Sequence, residues 1–201
     1  MSTRTLGYRS GFAGLDFESG PAQGVLATDR PAVSLATVLS RRGRLVELRD
    51  RARSEFALEL PEGPRRVAAG PLAFVGTGPG AWLVTAEGGD PEFAAALART
   101  LESCAAVTDQ SGAHALLRLS GAQIRSTLAK MLPLDLHPRV FAIGAAAATA
   151  AAQVPVLVWR LEDSPAGLAV FEIAVARSLC VSFWHSLTQS AAEFGFVFSP
   201  G

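Results

Sequence analysis

The sequence predicts an α+β fold built from two halves of like order, and three observations predict it. Two apolar segment pairs flank tight turn signals: "PLAFVG" and "WLVTA" around "TGPGA" (77–81), and "PVLVWRL" and "LAVFEIAV" around "EDSPAG" (162–167); such pairs read as β-hairpins. After each hairpin comes a helical stripe, Phe93, Leu97 and Leu101 in the first case and Phe183, Trp184, Leu187, Ala191 and Phe194 in the second, the spacing of one buried helix face. Each stripe is followed by a short apolar piece, 105–107 and 196–198. With a strand and a helix placed before each hairpin, both halves run strand, helix, strand, strand, helix, short strand. That is the ferredoxin-like βαββαβ order, with helices on one face of an antiparallel sheet. The repeat is one of element order, not of residue identity.

Residues 1–40 carry scattered Gly, Pro and Ser with weak periodicity and read as an extended N-terminal arm that docks elsewhere. The first half spans 41–110. "RLVELR" (44–49) alternates like a strand, residues 50–58 read as a short helix, and prolines at 61 and 64 break the chain before the first hairpin. Asp90, Pro91 and Glu92 form a helix start: an acceptor at the cap, a proline in the first turn and an acid near the positive end of the dipole. The second half spans 111–201 and packs with the first as one unit. "HALLRLS" (114–120) places Ala115, Leu117 and Leu119 on one face of a strand and His114, Leu116, Arg118 and Ser120 on the other. Ser120 and Gln123 have capping-box spacing, Ile124, Leu128 and Met131 form a helical stripe, and Pro133 ends it. Ser178 is placed to cap the last helix and Gly195 to stop it.

Composition narrows the function classes. Charged residues make up 18% of the 201 and hydrophobic residues 49%, against roughly 25% charged in ordinary soluble domains. A chain so apolar has either a large interior or a surface that a partner covers. The formal net charge is zero, so no long-range field draws nucleic acid or anionic lipid. The arginines at 41, 42, 44, 49, 51 and 53 are interleaved with Glu47, Asp50 and Glu55 and read as a solvated or partner-facing surface. No signal peptide is read at the N-terminus. The alanine-rich run 142–158, interrupted by Gln153 and Pro155, lacks the hydrophobicity of a membrane span. Two cysteines, Cys104 and Cys180, form no CxxC pair and fit a reducing, cytoplasmic setting.

"VGTGPGAW" (75–82) has the glycines of a phosphate loop, but a strand follows it where an anion site needs a helix N-terminus; it reads as a hairpin turn. His114, His137 and His185 fall on a strand, a loop and a helix without HxH or HxxxH spacing, so no metal site is expected. Cys180 and His185 diverge on one helix, and Cys180 reads as a core residue. The remaining cluster is "LPLDLHPRVF" (132–141). Asp135 could orient His137 while Arg139 holds a carboxylate. Alternatively the segment is a rigid connector, with Asp135 accepting backbone N–H groups between two prolines; residue types alone favour this reading.

The run "LLRLSGAQIRSTLAKMLPLDLHPRVF" (116–141), with "VPVLVWRL" (154–161), "AAEFG" (191–195), "YRSGFAGL" (8–15) and "GPGAWLVTA" (78–86), resembles the gamma subunit of heterotetrameric sarcosine oxidase. The fold so implied is aminomethyltransferase-like, shared with the N-domain of tRNA-modification GTPases. The resemblance implies a non-catalytic small subunit that meets the alpha, beta and delta subunits, chiefly alpha. The complex would oxidatively demethylate sarcosine to glycine, passing the one-carbon unit to tetrahydrofolate or releasing formaldehyde. FAD, FMN, NAD and tetrahydrofolate would be held by the other subunits, none by this chain. Catalytic, cofactor and metal residues are accordingly expected to be none here. Asp135, His137, Arg139, Trp82, Trp159 and Arg160 are the residues expected to form a subunit interface or a structural turn. Leu132 stands where the family often has Cys, and Ala176-Arg177-Ser178 replaces a more basic stretch. These departures leave open a related N-methyl amino acid oxidase, or a stand-alone folate-binding protein using Asp135 or Asp109.

Overall fold

The computed structural model describes residues 9–15 and 24–200. In chain order the described elements are β1 (Val25–Asp29), β2 (Val33–Ser40), α1 (Leu45–Phe56), β3 (Arg66–Ala69), β4 (Leu72–Gly78), β5 (Ala81–Glu87), α2 (Phe93–Leu101), β6 (Ala105–Asp109), β7 (His114–Ser120), α3 (Ile124–Ala129), β8 (Ala146–Ala151), β9 (Val154–Arg160), β10 (Val170–Ala176), α4 (Cys180–Ala191) and β11 (Phe196–Ser199). One antiparallel sheet has the order β3-β4-β5-β2-β6. The other runs β11-β1-β7-β10-β9-β8 and is mixed, because β1 pairs parallel with β11 and antiparallel with β7. The class is α+β, as the sequence predicts.

Side-chain alternation turns the two sheets into the middle of a four-layer stack. On β7, Ala115, Leu117 and Leu119 face one way and join a core with Ile124 and Leu128 of α3 and Phe183 and Leu187 of α4. Leu116 faces the other way and packs with Val33, Leu35, Val75, Leu83, Trp159 and Ala174, a cluster drawn from both sheets. Ala36, Val38, Phe74, Trp82 and Val84 pack outward with Leu48 of α1 and Leu97 and Leu101 of α2. The helices thus cover the outer face of each sheet, and the inner faces meet each other. Burying both faces is what the excess of apolar residues accomplishes.

The structure corrects several sequence expectations. Residues 25–40, assigned to an extended arm, form β1 and β2; β2 lies between β5 and β6 with apolar residues on both faces, so it lacks the alternation that marks a half-exposed strand. Phe12, in the turn at 11–14, packs on α4 of the same chain. It is fully buried, with ring centroids 6.4 Å from Phe183 and 6.1 Å from Trp184. The rest of the expected arm, 1–8 and 16–23, lies outside the described residues. "RLVELR" enters a helix, not a strand, because Leu48 and Ala52, four apart, are the side chains that α1 buries. β3 and β8 carry no strand signal in the sequence; β8 is "AAATAA", a poor strand former that its pairing with β9 along the whole length imposes. Gln123, not Ser120, is the N-cap of α3, and no side chain caps it. At α2 the expected acceptor acts one step early, Asp90 Oδ1 taking the N–H of Glu92 at 2.8 Å.

β1 enters the second sheet through a contact that only glycine permits. Gly24 N–H donates to Phe194 O at 3.0 Å, and its carbonyl accepts from Gln123 N at 2.9 Å. Gly121, opposite, has φ +119°, and a Cβ there would lie 2.3 Å from Gly24 O. Both the backbone angle and the space exclude a side chain. Gly121→Ala should therefore lower stability by about 2–3 kcal/mol, read as a shift of the urea midpoint at unchanged slope; a shift within error of zero would show that β1 is not seated this way.

Candidate functional site

Between the two sheets the apolar packing gives way to a charged seam. Glu172 on β10 is 4% exposed and is directly opposite Arg118 on β7 and Trp159 on β9. Its Oε1 accepts from Arg118 Nε at 2.9 Å and Nη2 at 2.6 Å, and its Oε2 from Trp159 Nε1 at 3.0 Å. Arg30, in the loop after β1, reaches within 3.7 Å of the same carboxylate and is ion-paired to Glu87 at the end of β5. Arg66 of β3 completes the group. Its guanidinium is held below the usual arginine range by burial first, with Glu172 and Glu87 opposing and Arg118 adding to the effect. A buried carboxylate so fully bonded is secured against the cost of its desolvation.

The segment 132–141 is a connector from α3 to β8. Leu132, Leu136 and Phe141 are buried in the core of the second sheet, while Asp135, His137 and Arg139 are exposed. Asp135 Oδ1 accepts the N–H of His137 at 2.9 Å, and His137 Nδ1 accepts the N–H of Arg139 at 3.2 Å. The backbone N–H groups of Val140 and Phe141 return to His137 O at 2.9 and 2.8 Å, and Arg125 Nε donates to Leu136 O at 3.2 Å. Asp135 and His137 therefore bond backbone and not each other, so they are not arranged as an acid–base pair.

The other expected residues lie inside the chain. Trp82 is 2% exposed and donates from Nε1 to Pro61 O at 3.0 Å. Arg160 is 3% exposed and closes the β9–β10 hairpin, donating to Val170 O at 2.9 Å and to Leu161 O while pairing with Asp163 over the ring of Phe171. Trp159 is the seam residue already described. The sequence reading brought none of Glu172, Arg118, Arg30, Glu87 and Arg66 together. A lone acid inside the apolar run "LAVFEIAV" was the available signal, since an acid in a buried strand needs a partner.

Two further groups carry protons in the interior. His114 lines a cleft of about 510 Å³ between the sheets with Thr37, Thr77 and Thr149. Its Nδ1 meets no partner among the described residues, and burial holds its pKa below 6.5. Cys180 is fully buried, and burial pushes its thiol up to about 11, so it is protonated and inert at neutral pH. Among the described residues no three His, Cys, Asp or Glu side chains converge as a metal site.

Comparison with known proteins places this geometry. The sarcosine oxidase, gamma subunit family (SoxG) matches residues 50–193, which include both hairpins, the connector and the seam residues other than Arg30. The chain belongs to the sarcosine oxidase gamma subunit family. The gamma subunit of sarcosine oxidase from Arthrobacter sp is 36% identical over 104 residues, 49% of this chain. The matched part spans only 45% of that relative. A solved heterotetrameric sarcosine oxidase from Corynebacterium sp. U-96, in complex with pyrrole 2-carboxylate, contains a chain that superposes with a TM-score of 0.79 at 25% identity, covering 93% of this chain and 96% of that one. The glycine cleavage system aminomethyltransferase T from Bartonella henselae shares the fold, with a TM-score of 0.62 at 15% identity over 88% of this chain and 48% of its own.

Two outcomes follow from this gamma-family geometry. Glu172→Ala leaves Arg118 and Trp159 without their acceptor and should cost about 3 kcal/mol, whereas Glu172→Gln, which keeps a carbonyl acceptor, should cost clearly less; equal losses in urea unfolding would refute the assigned bonds. For His114, the depressed native pKa means that the unfolded chain takes up the proton first. Stability is full above about pH 6.5 and falls as the pH drops through the native value. His114→Gln should flatten that slope in thermal melts between about pH 5 and 7, and an unchanged slope would assign it to other groups.

Proposed function

We propose that this chain is the non-catalytic small subunit of a sarcosine-oxidase-type complex, packing chiefly on the alpha subunit alongside beta and delta. The observation that carries this reading is the family match across both halves, joined to a fold likeness that covers nearly all of this chain and of its solved counterpart. The complex would oxidise the N-methyl group of sarcosine, leaving glycine and a one-carbon unit for tetrahydrofolate or for release as formaldehyde. FAD, FMN and NAD would supply the electron transfer from the larger subunits. The glycines at 76, 78 and 80 do not fit such a group, since they lie at the β4–β5 turn with a strand after them and present no helix N-terminus to a phosphate. No step of the chemistry is routed through this chain.

The polar side chains support an architectural role. Asp135 and Asp109, on which a stand-alone pterin site would depend, both close turns, their Oδ1 atoms accepting the N–H groups of His137 and Ser111, each at 2.9 Å. The connector that holds Asp135 and the residues just after it also present Val140 and Ile143, 63% and 52% exposed, as contact surface for a partner.

We also read the two sheets as a pseudo-repeat. With β1 set aside, β11-β7-β10-β9-β8 matches β6-β2-β5-β4-β3 element for element, each the ferredoxin-like order with one added edge strand. The halves would then meet near the turn at 110–113, where Ala113 N–H donates to Gln110 O at 3.0 Å, and the first half would begin at Val33.

Tagged chain co-expressed with its genomic neighbours should be retained with large flavoprotein subunits. Asp135→Ala should lower its melting temperature or the assembly yield while turnover per flavin in the intact complex stays near normal. A stable monomer that captures no flavoprotein, or a collapse of turnover in a fully assembled complex, would sink the proposal.

A further inference from the structure

Beside the charged seam lies a cleft of about 460 Å³ whose polar lining is Arg66, Arg118, Ser120, Ser164 and Glu162. Arg66 reaches it from β3, where the two sheets come edge to edge; its backbone N–H donates to Gly144 O at 2.7 Å, and Ala146 N–H donates to Pro64 O at 2.8 Å. These bonds fix the backbone before the side chain, and the pairing of β3 with β4 fixes it after. The guanidinium is not matched. Its Nε is buried without a hydrogen-bond partner, and no described carboxylate lies within salt-bridge distance of it.

The nearby carboxylates are already engaged. Glu172 is held by Arg118 and Trp159, and Glu87 by Arg30. Three guanidiniums thus face two carboxylates in the seam. Glu162 is the one other acid at the cleft; it is exposed on the loop after β9 and acts on Arg66 only through its charge. Ser164 Oγ accepts the N–H of Leu168 at 3.1 Å, which leaves its proton available as a donor.

We propose that this cleft is a carboxylate-binding site, with the Arg66 guanidinium as the cation that receives the ligand and the Ser120 and Ser164 hydroxyls as flanking donors. A guanidinium offers a planar pair of N–H groups that matches a carboxylate. One unmatched positive charge with an acid at the rim suits a singly charged group better than a phosphate dianion. Arg66 is half-buried, and a guanidinium whose Nε is buried without a partner lowers the stability of the empty chain; that is the signature of a residue retained for what it binds. The carboxylate is either an acidic side chain of a neighbouring subunit, a source that rests on the subunit reading above, or a free small molecule.

Two arms distinguish these sources, both on the full-length chain. In the first, sodium acetate is titrated against ¹⁵N-labelled protein and the Arg66 Nε–H resonance is followed; a saturable shift, absent with acetamide, absent in Arg66→Gln and stronger in Glu162→Gln, identifies a free carboxylate. In the second, Arg66→Gln is co-expressed with the flavoprotein subunits; at least a tenfold loss of retention identifies a partner's acid. In either case the isolated Arg66→Gln chain should melt no lower than wild type, and up to about 3 °C higher. No acetate response together with wild-type retention would overturn the proposal, as would a lowered melting temperature, which would make Arg66 an ordinary structural arginine. Failure of the wild-type chain to assemble would count against the subunit reading and leave the acetate arm decisive for the site.

Discussion

Glu172 is the constraint around which the two sheets are aligned. It stands where inner faces meet, with helices closing both outer faces, so water cannot solvate its charge. Its acceptor needs are met by Arg118 and Trp159, which are not merely near but directly opposite it on the two neighbouring strands. A slip of one residue in either ladder would send the carboxylate to the helix-facing core and replace it at the seam with Phe171 or Ile173. Apolar packing alone would tolerate other registers, because β10 is buried on both faces. One partly buried ion pair therefore specifies a register that hydrophobicity leaves undetermined.

The second organising device is the exchange between halves. β1 precedes the first sheet in the chain but sits in the second, between β7 and β11. Arg30, in the turn that follows it, carries the chain back to the first sheet and touches Glu87 there and Glu172 across the seam. The same short excursion thus delivers a strand to one sheet and an ion-pair partner to both. Neither half keeps a complete set of contacts without the other, which is why the seam and the Gly24–Gly121 approach belong to one cooperative unit.

What the sequence made legible follows from this layering. Hairpins and amphipathic helices touch solvent on one side, and their alternation or stripes survive: β4–β5, β9–β10, α2 and α4 were all placed. The alternation of β7 separates Leu117 and Leu119 from Arg118, and the structure turns the first two toward the helices. Elements that lack a polar side lost their signal. β1 and β2 fall in the stretch that reads as an arm of weak periodicity: β2 is apolar on both faces, and the partner β11 of β1 lies far along the chain. α1 alternated like a strand over its first residues, since its buried face is only Leu48 and Ala52 wide. At the level of sites, the eye is drawn to polar residues close in sequence, such as Asp135, His137 and Arg139, whereas the seam is assembled from five elements and Glu172 shows in the chain only as a single acid among apolar neighbours.

The polar groups of this molecule can be sorted by whether the chain itself uses them. Asp135, Asp109, Arg160, Trp82 and Trp159 all close turns, hairpins or ladders, and each has its partner within hydrogen-bond distance. A catalytic group has the opposite character: it is held by others and left with an atom free to meet a substrate. In the connector 132–141, Asp135 and His137 have the first character, each accepting a backbone N–H of its own segment. Arg66 in the seam combines a fixed backbone, a half-buried guanidinium and a buried Nε without an acceptor, and unlike Arg30 it has no ion-pair partner among the described residues. Leaving that Nε buried without an acceptor is unfavourable in the isolated chain, and an acceptor from outside the chain would complete it.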